Sequence, residues 1–514
     1  MRTAALPVLL AAAAAAAGSL SPPRHRHSLP ASRARDPARP SVANCTLLYL
    51  DQPLDHAEAG SPTWPQRVFV YDGFVPPGER ARAVFLYVGN EADVTLYVNA
   101  TGWMWERAAE FGALLAWSEH RYYGASQPFG TAEASLANKT YLTVEQALGD
   151  HASAAAQVRA RYGVPDAAAT VGFGGSYGGM LASWLRMTRP DALDGALAAS
   201  APILSFEGER PACDPTFYAR GTSYDASAAA GASPACAPAL QRAFAGEELA
   251  ALGASPDGRD KLAAGLRLCG GALGDDDGAG WDVAFWLNDA LSYMSMGNYP
   301  FASSYILNGD GELPPFPVRV ACASFDALDD DGGDDDAWLR ALGEFAGVYY
   351  NSSGDAPCFE LSAPVNPEAA IVNELWNWQY CTQIFQLFGQ AGPPNDLLWP
   401  SPWDANASAA SCEAQYGVPT DVMWATRSFG GDPSAWTASN IVWSNGEYDP
   451  WAGGGVAVND TAHARFAITI AEAAHHLDLM WSDSDDTDAV RAARDFEAAQ
   501  VRAWIDAKAA RAAV

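Results

Sequence analysis

The first 200 residues alternate short apolar runs with stretches of helical pattern. Runs of strand length lie at 67–71, 83–88, 113–118 and 168–173, and another at 195–200 follows the next helical stretch. A capping box, Thr143-x-x-Gln146, opens the helix before the fourth run, and Gly163-Val164-Pro165 ends that helix. Strands that alternate with helices in this way are typical of a mostly parallel sheet.

The alternation stops at about residue 201 and resumes at about residue 422. Between these points the patterns at 280–296 and 368–388 indicate helices, and beyond them we predict strands at 439–443 and 465–470 and a closing helix at 488–510. The sequence therefore predicts an α/β fold whose mostly parallel sheet is built from both ends of the chain, 43–200 and 422–514. The segment 201–421 is predicted to form a largely helical cap, inserted over one edge of the sheet.

The amino-terminal segment has the order of a secretory signal. Arg2 precedes an apolar run at 4–17 that is too short to span a bilayer comfortably, and small residues follow it. We predict a signal peptide at 1–19 and a pro-segment or disordered lead at 20–42. No later uninterrupted apolar stretch reaches the length of about 18 residues that a membrane span needs.

Cysteine and glycosylation signals agree with a secretory route. The eight cysteines lack the close CxxC spacing of a zinc site, and six N-x-S/T sequons are spread along the chain. Both features favour disulfides and passage through an oxidising, glycosylating lumen. We predict the secretory pathway, with the lysosome, vacuole or extracellular space as the destination.

The net charge argues against two classes of partner. The chain has 61 acidic and 31 basic residues and a formal charge of −30, which disfavours nucleic acid and anionic membrane surfaces. The aspartate runs at 275–277, 329–331 and 334–336 lack the alternating ligand spacing of an EF-hand, so we interpret them as solvated loops. No metal site and no cofactor are predicted.

A nucleophile elbow is predicted where the strand at 168–173 meets the helix after it. Gly174-x-Ser176-x-Gly178 stands at this junction, which is the context that the motif requires. The chain must turn sharply there while the serine holds a strained backbone conformation, and flanking side chains would collide, so glycine is needed on both sides. Ser176 is therefore the candidate nucleophile.

A serine hydroxyl needs a base, and in α/β-hydrolases the histidine comes last in the chain order. His475 and His476 follow the predicted strand at 465–470, where the loop should deliver that base. His463 precedes the same strand, and His120 precedes the serine, so neither has the right position. We interpret His120 as structural.

The orienting acid should follow the strand before the last one. Glu447 and Asp449 both lie just beyond the predicted strand at 439–443. Asp449 is preferred, and its role would be to hold the histidine in the correct tautomer and stabilise the imidazolium. In isolation Asp449-Pro450 would be read equally well as a turn, so the preference depends on the surrounding pattern.

Several motifs of this chain point to one family. They are Gly174-Gly175-Ser176-Tyr177-Gly178-Gly179-Met180, Ser444-Asn445-Gly446 with Asp449-Pro450-Trp451, Gly453-Gly454-Gly455, Ala474-His475-His476-Leu477-Asp478-Leu479, Val88-Gly89-Asn90-Glu91, Glu119-His120-Arg121-Tyr122-Tyr123-Gly124 and Asn298-Tyr299-Pro300. Together they resemble the lysosomal Pro-X carboxypeptidase and dipeptidyl peptidase II family of serine peptidases. The resemblance covers nearly the whole chain after about residue 45.

The resemblance implies an α/β-hydrolase domain with a helical insertion and cleavage next to proline. In that family the first histidine of the pair is catalytic, which corresponds to His475 here. The same match implies an oxyanion hole formed by the backbone N–H of Tyr177 and one from Gly89-Asn90. Met180 and Trp451 correspond to an apolar wall that accepts proline, although both would serve equally well as core residues.

The resemblance also implies three disulfides, Cys236–Cys322, Cys269–Cys358 and Cys381–Cys412. Cys213 lacks its family partner and Cys45 is an extra cysteine, so a Cys45–Cys213 bridge is only a guess. Two further departures from the family pattern are Met480, where an arginine is usual, and Ala92, where a glycine is usual. None of these departures affects the predicted triad.

The hypothesis is acyl transfer to water. His475 deprotonates Ser176, the serine attacks the carbonyl carbon of a proline residue, and the leaving amine takes its proton from His475 before water completes hydrolysis. The cap should restrict access to short proline-containing peptides or peptide ends, which favours an exopeptidase. The motif Thr101-Gly102-Trp103-Met104-Trp105 resembles the carboxypeptidase branch slightly more.

Other functions stay open. A dipeptidyl peptidase that releases N-terminal X-Pro dipeptides needs an anionic group for the substrate amine, and Glu91 either serves that role or braces the elbow loop. A lipase or esterase would share the elbow and triad. A catalytically inactive hydrolase-like binding protein is disfavoured, because such proteins usually lose a triad member. A homodimer also stays open as the assembly state.

Overall fold

The computed structural model describes residues 39–274, 278–307, 311–328, 334–361 and 367–513. The predicted signal peptide at 1–19, most of the predicted lead at 20–42 and the acidic runs at 275–277 and 329–331 lie outside the described residues. The acidic run at 334–336 starts a helix. The side chain of Asp334 accepts a hydrogen bond from the backbone N–H of Ala337 and so caps that helix.

Within the described residues, eight strands form a single sheet. They are β1 Thr46–Pro53, β2 Thr63–Tyr71, β3 Ala83–Val88, β4 Ala113–Ser118, β5 Ala169–Gly175, β6 Gly195–Ala199, β7 Ile441–Gly446 and β8 Arg465–Ile470. Their order across the sheet is β1-β2-β4-β3-β5-β6-β7-β8. β1 pairs antiparallel with β2, and β2 antiparallel with β4, while all other neighbours are parallel. The predicted mostly parallel sheet, built from both ends of the chain, is confirmed.

Strand prediction succeeded in the parallel part of the sheet, including its β8 edge, and failed at the antiparallel edge, where β2 begins at Thr63 and not at residue 67. β3, β4 and β8 have the predicted bounds, and β5, β6 and β7 differ from prediction by one to three residues at their ends. β1 was not predicted. Its solvent face carries Leu47 and Tyr49, which are 46% and 55% exposed, so apolar residues on both faces hide the alternation of a half-buried strand.

The α-helices fall into three groups along the chain. Before β6 they are α1 Val94–Ala100, α2 Gly102–Phe111, α3 Ala132–Ala137, α4 Val144–Arg161 and α5 Tyr177–Thr188. We call the part of the chain between β6 and β7 the helical insertion. Its helices are α6 Phe217–Asp225, α7 Cys236–Phe244, α8 Glu247–Gly253, α9 Pro256–Gly265, α10 Ala279–Met296, α11 Pro317–Cys322, α12 Asp335–Tyr350, α13 Pro367–Thr382, α14 Ala405–Tyr416 and α15 Trp424–Phe429. After β8 the chain ends with α16 Asp488–Ala512.

Two helix predictions need correction. The capping box of α4 is only half formed: Thr143 Oγ1 accepts from the Gln146 backbone N–H at 3.3 Å, but the Gln146 side chain bonds Asp55 and His56 instead. α13 ends at Thr382 and not at residue 388. The amides of residues 383 and 384 both donate to the carbonyl of Gln379, so the helical hydrogen-bond ladder stops there.

Helices cover both faces of the sheet. In β3, Val84 and Leu86 pack on α4 and α5, whereas Phe85 and Tyr87 pack on the side of α1, α2 and α16. Every residue of β3 is buried, which is expected for a central strand of a parallel sheet. The helical insertion has a hydrophobic core of its own, built largely from α7, α10 and α12.

The three predicted disulfides, Cys236–Cys322, Cys269–Cys358 and Cys381–Cys412, are all present, and all lie in the helical insertion. The Cys45–Cys213 bridge is wrong, because both cysteines are free. Cys45 adjoins β1, whereas the Cys213 sulfur lies 3.9 Å from the Gly453 carbonyl beyond β7. β1 and β7 are six strand positions apart in the sheet, or roughly 30 Å, which a disulfide cannot bridge.

Candidate active site

The predicted elbow forms at the junction of β5 and α5. Ser176 stands between the two elements with φ 59° and ψ −130°, a left-handed backbone conformation that a residue with a Cβ seldom adopts. Its backbone N–H donates to the carbonyl of Ala199 on β6 at 2.9 Å. The sheet thus holds Ser176 in a strained conformation at the amino terminus of a helix.

The two flanking glycines are required by close backbone contacts. A Cβ on Gly174 would lie 2.1 Å from the carbonyl oxygen of Gly178, and a Cβ on Gly178 would lie 3.0 Å from the carbonyl oxygen of Val88. The first contact is far too short for any side chain. The spacing Gly-x-Ser-x-Gly is therefore explained by the tightness of the turn.

Asp449 and His475 meet at the carboxyl ends of β7 and β8. His475 Nδ1 lies 3.0 Å from both carboxylate oxygens of Asp449. The two side chains are 6% and 0% exposed, so the contact is shielded from water. Asp449 Oδ1 also accepts from the backbone N–H of Trp451 at 3.0 Å, which fixes the carboxylate. The arrangement orients the imidazole and can stabilise its protonated form.

His476, the second histidine of the pair, is held differently. Its backbone N–H donates to Ser200 Oγ at 2.7 Å, and its ring centre lies 4.5 Å from that of His475. Burial, followed by the neighbouring His475, lowers the pKa of His476 well below its ordinary value. His476 is therefore a neutral ring packed against the candidate base.

The structure distinguishes the proposed oxyanion donors from one another. The Gly89 N–H donates to the carbonyl of Ser118 at 3.0 Å. A Cβ on Gly89 would lie 2.3 Å from that same oxygen, so glycine is needed for the close approach. Among the described residues, the backbone N–H groups of Asn90 and Tyr177 donate to no protein acceptor. These two amides, near the elbow, can bind a developing oxyanion.

Glu91 is a buried carboxylate and only 5% exposed. Its Oε2 accepts from Asn90 Nδ2 at 2.8 Å. Burial, and after it the charge of Glu91, raises the pKa of several surrounding phenols, those of Tyr97, Tyr123 and Tyr177 among them. Glu91 therefore sits in a shell of tyrosines next to the elbow.

Met180 and Trp451 do not share one apolar cluster. Met180 is 1% exposed and packs in the core between the sheet and α5. Trp451 packs with aromatic rings of the insertion at centroid distances of 4.9 to 6.3 Å, namely Phe217, Tyr218 and Phe388. Its own ring centre lies 6.5 Å from that of His475. The three insertion aromatics were not predicted, because no local pattern indicates which of the many aromatics fold against Trp451.

A second group missed by sequence reasoning surrounds the side chain of Tyr177. Gln379 Nε2 on α13 donates to the Tyr177 hydroxyl at 3.0 Å, and Tyr123 donates its hydroxyl to Gln379 Oε1 at 2.5 Å. His120, predicted to be structural, lies in the same network with Nε2 3.2 Å from the Tyr177 hydroxyl. Gln379 is separated from Tyr177 by about 200 residues in the chain, so no local signal could identify it.

The described part of the chain lacks two classes of feature. No group of three or more His, Cys, Asp and Glu side chains in it could hold a metal ion. No helix within the same residues combines the length and apolar character needed to cross a bilayer.

Comparison with known proteins identifies relatives over almost the full length. The family model for serine carboxypeptidase S28 matches residues 52–497. The proteins named lysosomal Pro-X carboxypeptidase from Pongo abelii and Homo sapiens are each 33% identical over 500 residues, which is 97% of this chain and 94% of theirs. A putative serine protease, pcp-1, from Caenorhabditis elegans is 30% identical over 90% of this chain and 83% of its own length.

Proposed function

Because this chain belongs to the serine carboxypeptidase S28 family, we propose that it is a Pro-X carboxypeptidase with Ser176 as nucleophile, Asp449 as orienting acid and His475 as base. Membership makes the protein a serine-type exopeptidase. The preference for proline is transferred from the names of its mammalian relatives. The observation that carries the assignment of the base is the symmetric contact of His475 Nδ1 with both Asp449 oxygens at 3.0 Å.

In the proposed mechanism the Asp449 carboxylate binds the Nδ1 proton of His475. This leaves Nε2 unprotonated and able to take the proton from Ser176 as its oxygen attacks the substrate carbonyl carbon. The same Nε2 proton then goes to the leaving amine, and water repeats the sequence on the acyl-enzyme. No metal or cofactor enters any step.

We assign the oxyanion hole to the backbone N–H groups of Tyr177 and Asn90. Both amides lack protein acceptors within the described residues, and the first lies at the amino terminus of α5, where the helix dipole favours negative charge. Gly89 shapes the loop, since its own N–H is occupied by Ser118. Of the predicted pair Gly89 and Asn90, only Asn90 therefore remains as a donor.

We assign the surface that accepts the proline ring to Trp451, whose aromatic surroundings and nearness to His475 support this role. Met180 stays a candidate on the side of α5, although its burial fits a core residue equally well. The burial of Glu91 and its bond to Asn90 favour the bracing role over binding of a substrate amine. This is the feature that favours a carboxypeptidase over a dipeptidyl peptidase.

The disulfides and the lysosomal relatives support a route through the secretory pathway. Within it we propose the lysosome, the vacuole or the extracellular space as the destination. Proline-containing peptides are the proposed substrates. A homodimer stays open as the assembly state, which light scattering of the purified protein would test.

The proposal is tested with two proline peptides, one with a blocked amino terminus and a free carboxylate, the other with a free amine and a blocked carboxyl terminus. Product release is measured at pH 5 and pH 7 with wild type, Ser176→Ala and the control Ser153→Ala on α4. Cleavage of only the first peptide, lost in Ser176→Ala and kept in Ser153→Ala, supports the proposal. Cleavage of only the second peptide would make the protein a dipeptidyl peptidase.

Two further outcomes would contradict the proposal as a whole. Hydrolysis of long-chain esters without hydrolysis of either peptide would indicate a lipase or esterase. Failure of a fluorophosphonate probe to label Ser176 in the folded protein would indicate an inactive hydrolase-like binding protein.

A further inference from the structure

The motif Asn298-Tyr299-Pro300 lies in the helical insertion, directly after α10, and has no part in the chemistry above. Asn298 and Tyr299 are both 0% exposed, and Met296 at the end of α10 is 7% exposed. The Tyr299 ring packs beneath the loop that carries His475, against Ile470, Ala473 and Leu477 among others. This short piece of the insertion is therefore buried in the hydrolase part of the molecule.

Two hydrogen bonds join this segment to the main chain of His475. The backbone N–H of His475 donates to the carbonyl of Met296 at 3.2 Å, and the Tyr299 hydroxyl donates to the carbonyl of His475 at 2.9 Å. The N–H and the carbonyl of the candidate base are thus both bonded by the insertion. Neither is bonded by a strand, because β8 ends five residues earlier, at Ile470.

The same segment also reaches the loop that carries Asp449. Trp451 Nε1 lies 3.3 Å from the sulfur of Met296 in a hydrogen bond to sulfur, and the backbone N–H of Trp451 donates to Asp449 Oδ1 at 3.0 Å. The end of α10 therefore contacts the loops of both the acid and the base.

We propose that Tyr299 is a positioning residue that holds His475 at the distance and angle needed to take the proton from Ser176, through its hydrogen bond to the His475 carbonyl. The inference rests on the proposed function, which makes His475 the base. Loops beyond the ends of strands are held only by the contacts that they make, and small displacements of a catalytic group cost large factors in rate. The insertion thereby takes part in catalysis.

The test compares Tyr299→Phe with Tyr293→Phe. Tyr293 is a matched control, because it is also buried, lies on α10 and stacks on Tyr349, while its hydroxyl bonds no partner among the described residues. Both variants lose one oxygen atom, but only Tyr299→Phe releases His475. We expect kcat for the proline peptide to fall about tenfold in Tyr299→Phe with KM changed less than about twofold. In Tyr293→Phe neither constant should change by more than about twofold.

Two results would overturn the inference. One is a kcat in Tyr299→Phe within about twofold of that in Tyr293→Phe. The other is a rise in KM as large as the fall in kcat together with a lower midpoint of thermal unfolding, which would indicate a general structural role. Ser176→Ala is measured in parallel: if it keeps activity, the proposed function itself has failed, whereas an inactive Ser176→Ala with an unaffected Tyr299→Phe contradicts only this inference.

A second variant applies if Tyr299→Phe does not fold. Tyr299→Met removes the same hydroxyl from the His475 carbonyl and fills the space of the ring with a flexible apolar side chain. We expect kcat to fall about tenfold with KM changed less than about twofold, relative to Tyr293→Met as the control. A kcat in folded Tyr299→Met within about twofold of that in Tyr293→Met would overturn the inference.

Discussion

The sheet region and the helical insertion are stabilised in different ways. The sheet is a continuous ladder of eight strands whose central members are buried on both faces, and its described residues contain no disulfide. The insertion consists of helices with a separate core, joined by three disulfides. Backbone pairing over long distances thus organises one region, while covalent links and aromatic packing organise the other.

The difference matters for catalysis because the two regions share the site. The proposed triad stands at the carboxyl ends of β5, β7 and β8, as expected for a parallel sheet. The insertion contacts the surroundings of that triad on two sides: Gln379 bonds Tyr177, next to the candidate nucleophile, and Tyr299 bonds the main chain of His475. Under the proposed mechanism, the sheet therefore supplies the catalytic groups, and the insertion helps to hold them in position.

The largest expected effect comes from the sheet region. His475→Gln should lower kcat about 10⁵-fold, because the serine loses its base. The control is His463→Gln, which breaks the exposed 2.8 Å contact of His463 with Asp460 but lies before β8. Steady-state hydrolysis of the proline peptide measures both variants. Residual activity in His475→Gln close to wild type would show that the base is another residue.

The next effect tests the covalent links of the insertion. Replacing Cys236 and Cys322 by alanine opens a link across 86 residues, whereas Cys381 and Cys412 are 31 residues apart. The chain-entropy model gives a loss of about 4 to 5 kcal/mol for the first pair and about 1 kcal/mol less for the second. Denaturant unfolding measures the free energies, and limited proteolysis should show the first cuts in the insertion. First cuts within the sheet would contradict the prediction that these disulfides stabilise the insertion.

A smaller loss of stability is expected where the insertion meets the elbow. Gln379→Leu leaves the buried Tyr123 hydroxyl without its partner and leaves the Tyr177 hydroxyl with His120 alone, which should cost about 2 kcal/mol of unfolding free energy. The control is Gln415→Leu on α14, where an exposed glutamine also donates to a tyrosine hydroxyl, that of Tyr416. Equal losses of unfolding free energy in the two variants would show that the buried bonds of Gln379 stabilise the protein no more than the exposed bond of Gln415 does.

The smallest effect concerns pH and a buried acid pair under the base loop. Asp478 accepts from Ser444 Oγ at 2.7 Å, and burial raises the pKa of both Asp478 and its neighbour Glu497 above their ordinary values. A raised pKa means that the folded protein keeps protons which the unfolded chain loses, so stability falls as pH rises from about 4 through the raised values.

Glu497→Gln should flatten this dependence, because one ionisable member of the pair is removed. The midpoint of thermal unfolding, measured between pH 5 and pH 8, should decline less in Glu497→Gln than in wild type. Glu413→Gln, on the exposed face of α14, should decline as wild type does. Identical slopes for all three proteins would show that the acid pair does not govern the pH dependence of stability.

The sequence alone predicted the parts of the fold that depend on local pattern. Central strands such as β3 and β4 are almost entirely apolar, so their bounds follow from the chain itself. The elbow could be predicted because its glycines and Ser176 are adjacent in sequence and meet a local steric demand. Asp449 and His475 could be predicted because chain order places them beyond the last two strands. The choice of His475 over His476 needed the family resemblance.

Only the tertiary structure decided which distant residues complete the site. Gln379 and Tyr299 reach Tyr177 and His475 across separations of 202 and 176 residues. No local pattern indicates Gln379, and the motif that contains Tyr299 does not indicate which residue its hydroxyl contacts. The tertiary structure also decided the role of Gly89, because its backbone N–H already donates to the carbonyl of Ser118. Local sequence determines turns and strands through sterics and burial, whereas hydrogen-bond partners across the fold depend on how the insertion packs on the sheet.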